Sequence, residues 1–472
     1  MEENFDSYNE EEDYAAAVNR FEKMLSNNQN YFFDVEEFED LINYYLDIND
    51  HEKAEKALNF SLNQHPDSVT LKIKLAEFLA STYKPNKALE ILSSVEHIEP
   101  FNPDIHIIKG QIYNQIRQHN KAIEAYNKAL KFITDSNEKN TLKMQIAFEY
   151  ENLLQLDKAI AIFKEILKEN PENETVLYDI AFCYNLNDAN EESIRFLNEF
   201  LDENPYSFVA WYNLGVCYHN AELYEKSVEA HDFAITIKED FISAYYNKGV
   251  SLMALERYDE AIATYKEVLN FEEADADLYY YIADCYEETL DFGNAIKYYE
   301  KATQLDEFHS DSWAGLATVH ESLKNYDTAI FYIQKALEIE KENSDFWLIY
   351  ADILSNLGLA NEAVDAYKKV MEIDLENEEI WEDLIDSLFE IGEIEEALQF
   401  TEQAIEKFPH NYQLHFRHIA LLIENNSIKD AEIHLIALLS IDSNYVNEML
   451  NYYPQLLDYP IFVEIIENFR NT

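Results

Sequence analysis

Apolar side chains along this chain recur at spacings of three, four and seven residues, the mark of helices with one buried face. No stretch alternates apolar and polar residues between turn signals as a strand would. The pattern also repeats on a longer scale. A small residue returns at Ala17, Ala54, Ala88, Ala122, Ala159, Ser193, Ser227, Ala261, Ala295, Ala329, Ala363, Ala397 and Ala431. From Ala159 onward every step is 34 residues, whereas the steps from Ala17 to Ala54 and from Ala122 to Ala159 are 37, which places three-residue insertions in connecting loops. Other apolar positions keep their offsets from this anchor: Trp211, Leu214, Gly215, Tyr218 and Ala234 surround Ser227 as Trp313, Leu316, Ala317, His320 and Ala336 surround Ala329. Each unit predicts two amphipathic helices joined by a tight turn such as ELYEKS, ERYDEA or KNYDTA, with the anchor opening the second helix. One hairpin cannot bury its apolar face alone, so neighbouring hairpins stack.

The order of Trp, Leu-Gly, Tyr, Ala with an aromatic, then Ala and Pro resembles the tetratricopeptide repeat, most closely in WYNLGVCY at Trp211 to Tyr218. Junction prolines stand at Pro66, Pro100, Pro171, Pro205 and Pro409; Lys72 and His106 replace the first aromatic, and Glu239, Glu273 and Glu307 replace the proline. The resemblance covers about residues 36–443. It implies an all-α, right-handed superhelical solenoid of about twelve hairpins, with the first helix of each lining the concave side. The expected division is an acidic tail and capping half-repeat over 1–35, twelve tandem repeats over 36–443, and C-terminal capping helices over 444–472. The first cap is expected as a helix from Asp13 to Leu25. The last is expected from Tyr445 to Leu457, interrupted at Pro454, then from Pro460 to Arg470.

Composition supports a helical chain, since only seven glycines and nine prolines occur in 472 residues and both residues break helices. Ninety-three acidic residues face thirty-five basic ones, a formal charge of -58. That balance argues against nucleic acid and anionic membranes as partners and favours a basic protein segment. The opening MEENFDSYNEEED carries seven acids and no base, unlike a secretory signal. No run of about twenty apolar residues follows, so a cytoplasmic location is expected. Cys183, Cys217 and Cys285 form no CxxC pair and read as small core residues.

Candidate chemistry is sparse. Gly110, Gly215 and Gly249 fall at the small packing position of a first helix; Gly293, Gly358 and Gly392 fall at or beside turns; Gly315 has no evident role. No phosphate-cradling loop or nucleophile elbow can be drawn from them. His320 precedes Glu321, but Lys324 occupies the place of a second zinc ligand. Asp275 and Asp277 lack the glycine and closing glutamate of a calcium loop. No enzyme, cofactor or metal site is expected.

The expected function is therefore a scaffold or adaptor that binds a peptide or helix of a partner in its concave groove; the alternative is a structural subunit of a larger assembly, using the convex face or the ends. The oligomeric state stays open. Heat-shock co-chaperones of the resembled family hold a chain terminus with a carboxylate clamp, in which an Asn follows the small residue of the first helix. Here Gln111, Phe148, Phe182, Val216, Val250, Asp284, Thr318, Asp352 and Asp386 stand there, so that clamp is absent. One residue after the first aromatic, Tyr178, Tyr212, Tyr246 and Tyr280 form a ladder expected to face the groove, followed by Asp179, Asn213, Asn247 and Tyr281. Asn213 and Asn247 are expected to bond a partner backbone. In later repeats Asp284, Glu287, Asp311, Asp345, Asp352, Glu382, Asp383 and Asp386 are expected to attract basic side chains.

Overall fold

A computed structural model describes residues 16–26, 31–376, 378–442 and 444–470. The expected helix start at Asp13 and the acidic opening lie outside the described residues. Among the described residues every regular element is helical, and helices pair in sequence order into twelve hairpins, from Val35–Asp47 with His51–Gln64 to Tyr412–Glu424 with Ile428–Ile441. The chain divides into two compact units, Met1–Lys238 and Glu239–Thr472, each holding six of the hairpins.

The turn has one construction throughout. The first helix ends in a residue with left-handed backbone: Asn49, Tyr83, Arg117, Leu154, Asp188, Glu222, Glu256, Leu290, Lys324, Gly358, Gly392 and Asn426. The amide after it returns to a carbonyl five residues earlier, as Asp291 N–H does to Tyr286 O at 2.9 Å and Leu359 N–H to Leu354 O at 2.9 Å. This Schellman closure satisfies carbonyls that a helix end leaves open. The second helix starts two residues later and buries the anchor, as at Ala54, Ala261 and Ala397. Smallness is needed because backbones nearly touch there: Ser227 Oγ donates to Gly215 O at 2.8 Å.

Four residues beyond the anchor, a large side chain lies over the small position of the first helix. A Cβ at Gly110 would run into the Tyr126 ring, one at Gly215 into His231, and one at Gly249 into Tyr265. Gly315, without a role in the sequence, clears the ring of Tyr299 from the preceding hairpin. Hairpins are joined through the first aromatic, whose polar tip donates to the carbonyl six residues before it. Trp211 reaches Pro205 O at 2.9 Å, Trp313 reaches Glu307 O at 3.0 Å and Tyr245 reaches Glu239 O at 3.0 Å. Only the carbonyl is used, so glutamate replaces proline here without loss. His106 keeps the same reach to Pro100 O at 3.4 Å.

In the first unit, Ala17, Phe21 and Met24 of the 16–26 helix are buried against Phe38, Leu41 and Tyr45. In the second, helices Tyr445–Tyr452 and Pro460–Arg470, separated by a 3-10 turn at Pro454–Asp458, bury Met449, Leu456, Phe462 and Ile466 against the last hairpin. Each such side chain removed from water contributes roughly 1.5–3 kcal/mol.

Candidate protein-binding surface

In the first unit, helices Glu174–Leu186 and Phe208–Asn220 lie side by side. Tyr178, Phe182 and Leu186 follow one another at one-turn spacing on the exposed side of the first, and Phe182 leaves 54% of its surface to solvent. Tyr212 and Val216 hold the matching places on its neighbour. The rings of Tyr178 and Tyr212 meet edge to face, 6.1 Å between centroids. With Ala181, Asn185, Asn190, Asn213, Cys217 and Asn220 these side chains line about 200 Å³, and among the described residues no charged side chain lines the space. The Tyr178 hydroxyl is pushed up to about 12 by burial first and by Tyr212 second.

One neighbour differs from expectation. Asn213 is 4% exposed and its amide donates to Leu177 O at 3.3 Å, so it stitches adjacent repeats together instead of offering itself to a partner. Asp179 is half-buried, its Oδ2 has no hydrogen-bond partner among the described residues, and burial, then Glu151, push its carboxyl up to about 6.

In the second unit the ladder is less open. Tyr246 donates to Asp275 Oδ1 at 3.0 Å, and its ring lies against Tyr265 and Tyr281. Asp275 also caps the next first helix, Ala276–Glu288. Tyr281 stacks on Tyr265 at 5.4 Å, and Tyr280 touches Tyr281, Tyr299 and His309. Asn247 and Val250 are half-buried beside them. These tyrosines make a continuous aromatic wall with one side open.

The acidic positions fall into four groups. Asp311 and Asp345 are exposed. Glu287 and Asp352 are held from below: Glu287 accepts from Tyr299 at 2.8 Å and Thr318 at 2.7 Å, and Asp352 accepts from Tyr367 at 2.6 Å. Asp284 is raised to about 6 by burial, then by Glu287 and Glu288. Asp383 is also raised to about 6, by burial, then by Asp352 and Asp386, with Arg417 opposing.

Glu382 and Asp386 form the fourth group and correct the expectation made for them. Arg417 lies between them, with its Nη1 2.9 Å from Glu382 and its Nη2 2.7 Å from Asp386. Both carboxylates already hold a cation of the chain itself. The sequence reading missed Arg417 and Tyr452, although Arg417 stands 34 residues after Asp383, in the same repeat position. It also missed Leu186, which continues the Tyr178 stripe by one turn.

Among the described residues, no group of three or more His, Cys, Asp or Glu is placed to hold a metal ion, and no helix is long and apolar enough to cross a membrane. The three cysteines are unpaired and buried. Burial raises the thiols of Cys183 and Cys217, and it lifts Cys285 to about 12, which removes the thiolate that reactivity requires.

Stacked helical hairpins of this construction form a non-catalytic protein-interaction scaffold. The chain belongs to the tetratricopeptide-repeat proteins: a tetratricopeptide repeat-like domain matches residues 10–148, and tetratricopeptide repeats match 155–205, 246–310 and 283–343. Residues 322–404 match the family of anaphase-promoting complex, cyclosome, subunit 3. The uncharacterized protein y4yS of Sinorhizobium fredii is 32% identical over 100 residues, 20% of this chain. The chain spans about half, 53%, of that relative's length. Among solved structures, the APC/C hetero-tetramer Cut9-Hcn1 is 16% identical, with 87% of this chain and 94% of that one covered at a TM-score of 0.43. MamA from Desulfovibrio magneticus RS-1 is 22% identical, with 36% and 95% covered at 0.33. YrrB, described as a TPR protein with an unusual peptide-binding site, is 16% identical, with 38% and 93% covered at 0.31.

Proposed function

We propose that the first-helix faces of this scaffold bind extended segments of partner proteins, basic in character, in the cytoplasm. The observation that carries this reading is the pocket between Tyr178, Phe182, Tyr212 and Val216, lined by apolar, tyrosine and carboxamide side chains on a chain whose formal charge is -58. Its volume suits one large apolar side chain. Tyrosine and phenylalanine walls give wide contact at small entropic cost. Neighbouring helices lie about 8–10 Å apart and an extended chain advances about 3.3 Å per residue, so each first helix meets about every third residue of a bound segment. The acidic first helices of the second unit supply the attraction for basic residues, and three unpaired cysteines suit a reducing compartment.

The test is selection of a random peptide library on the full chain, followed by binding of the enriched peptides to Phe182→Ala/Val216→Ala. Phe182 is largely exposed, so helicity and melting stay close to the parent. Affinity for peptides seated in this pocket is expected to fall by about 2 kcal/mol or more, the loss typical of a hot spot. Unchanged affinity of every enriched peptide for the double variant would remove the pocket from the binding surface.

A further inference from the structure

The recess between helices Glu174–Leu186 and Phe208–Asn220 does not stop at Tyr178 and Tyr212. A second cavity of about 500 Å³ opens at the starts of the same two helices, and its walls include Glu172, Glu174 and Glu203 together with Pro205, Tyr206 and Phe208. Glu174 stands one turn before Tyr178, and Phe208 one turn before Tyr212. Glu174, Tyr178 and Phe182 therefore follow one stripe of the first helix, and Phe208, Tyr212 and Val216 one stripe of the second. Glu174 also adds to the rise of the Tyr178 hydroxyl, behind burial and Tyr212. The two cavities are successive stretches of one trough with different chemistry. The stretch at Tyr178 has no charged wall, whereas the other has three carboxylates and, among the described residues, no cation.

Two helix starts meet the second cavity, and each carries a positive partial charge of roughly half a unit. Asn173 and Ser207 cap them, accepting from Val176 N–H and Ala210 N–H at 3.3 Å. Helix Asn190–Glu203 brings its carbonyl end to the same place, which offsets one start. Three full charges on Glu172, Glu174 and Glu203 then decide the sign, and the cavity attracts a cation. The chain holds cations of its own with the same groups. Lys238, which does not line the cavity, has its Nζ 4.4 Å from the centre of the Phe208 ring. Arg417, bound by Glu382 and Asp386, has the Tyr452 ring 5.1 Å from its guanidinium carbon, and the Tyr452 hydroxyl donates to Asp386 Oδ1 at 2.8 Å. Carboxylates and an aromatic face both attract a positive side chain.

We infer that this cavity receives an arginine or lysine side chain from the same partner segment whose large apolar residue fills the pocket of Tyr178 and Val216, with two residues between them. The inference rests on the proposed binding of extended segments at that pocket and adds a second anchor to it. The spacing follows from the helices. Residues lining the two cavities are centred about six to eight positions apart on each helix, which is about 9–12 Å at about 1.5 Å per residue. An extended segment covers about 10 Å in three residues.

A display library of twelve-residue peptides, with phenylalanine fixed at the sixth position and every other position random, is selected on the full chain at about 150 mM salt. Arginine and lysine are expected to be enriched at the third or the ninth position above all others. The most enriched peptide is expected to lose about tenfold in affinity for Glu172→Gln/Glu174→Gln/Glu203→Gln. It is expected to keep its affinity for Glu191→Gln/Glu192→Gln/Glu199→Gln, which deletes equal charge from exposed positions of Asn190–Glu203. Basic residues spread evenly over the positions, no loss in the first variant, or an equal loss in the control would each overturn the inference. If Phe182→Ala/Val216→Ala still weakens the same peptides, the pocket itself survives that failure. Peptides indifferent to Phe182→Ala/Val216→Ala, or a selection that yields no binder, would sink the pocket and the second anchor together.

Discussion

At ten hairpin turns a residue other than glycine holds a left-handed backbone, with φ from 51° to 61°. For a residue with a Cβ this region costs about 1–2 kcal/mol, less for Asn and Asp. The Schellman closure makes the conformation compulsory, so the cost is carried at every turn that lacks glycine. Leu154 and Leu290 are 78% and 71% exposed, so their side chains return little. Leu290→Gly is therefore expected to stabilise the chain by about 0.5–1 kcal/mol, the relief of strain less the extra entropy lost by glycine. Gly358→Ala is expected to destabilise it by about 1 kcal/mol; an added Cβ there meets nothing within 4 Å, so backbone strain is the whole effect. Urea unfolding of both variants checks the signs, and a destabilised Leu290→Gly would show that the leucine packs after all. The location of these turns was legible from the anchors, but their conformation was not. With glycine at only two of the turns, no residue type flags the left-handed position.

Helix pairing depends on complementarity between a small position and a large one, and glycines on the two sides of it behave oppositely. A Cβ at Gly249 would overlap the ring of Tyr265, which is fully buried and stacked under Tyr281. Overpacking of this kind costs about 1–3 kcal/mol, more than the roughly 1 kcal/mol that alanine gains in a helix. Gly249→Ala is expected to melt lower. Gly293 lies in the first turn of Phe292–Leu305, and the nearest atom to its added Cβ is Asp291 Oδ1 at 3.7 Å. Gly293→Ala is expected to melt higher, and paired thermal scans decide both. The hairpin pattern and the small position came directly from the spacing of apolar residues, because both lie within one repeat. Gly315 did not, since the ring it clears belongs to the hairpin before. Asn213 was misread for the same reason: its partner, Leu177 O, lies 36 residues away on another first helix. Contacts between repeats leave no mark in a pattern read one repeat at a time, and Arg417 with Asp386 and Tyr452 is the clearest case.

Across the molecule, the charge of -58 makes electrostatics a term that salt and pH can move. Self-repulsion among like charges destabilises a compact state, and screening shortens its reach from about 10 Å at 0.1 M salt to about 3 Å at 1 M. The melting temperature is therefore expected to rise between low and high NaCl. Protons act in the same direction over a defined window. Asp179, Asp284 and Asp383 are raised to about 6, above the roughly 3.9 of an unfolded aspartate. Between those values the folded chain binds more protons than the unfolded one, so stability rises as pH falls through 6 toward 4 and is lost as pH rises again. Glu96, Glu169, Glu260 and Glu340 are lowered, and their contribution disappears as pH drops below the ordinary carboxylate range. Burial also lowers His219, His320, His415 and His418, so each of these costs stability as pH falls below the roughly 6.5 of an unfolded histidine and opposes the gain from the three aspartates. Asp284→Asn removes one raised carboxylate. It is expected to raise the melting temperature at pH 7 by the equivalent of about 1 kcal/mol, after allowance for solvent screening, and to remove that aspartate's share of the gain on acidification. Scanning calorimetry of parent and variant from pH 7.5 to 5 decides it. A variant with the parent's pH slope would show that the first-helix carboxylates are already compensated.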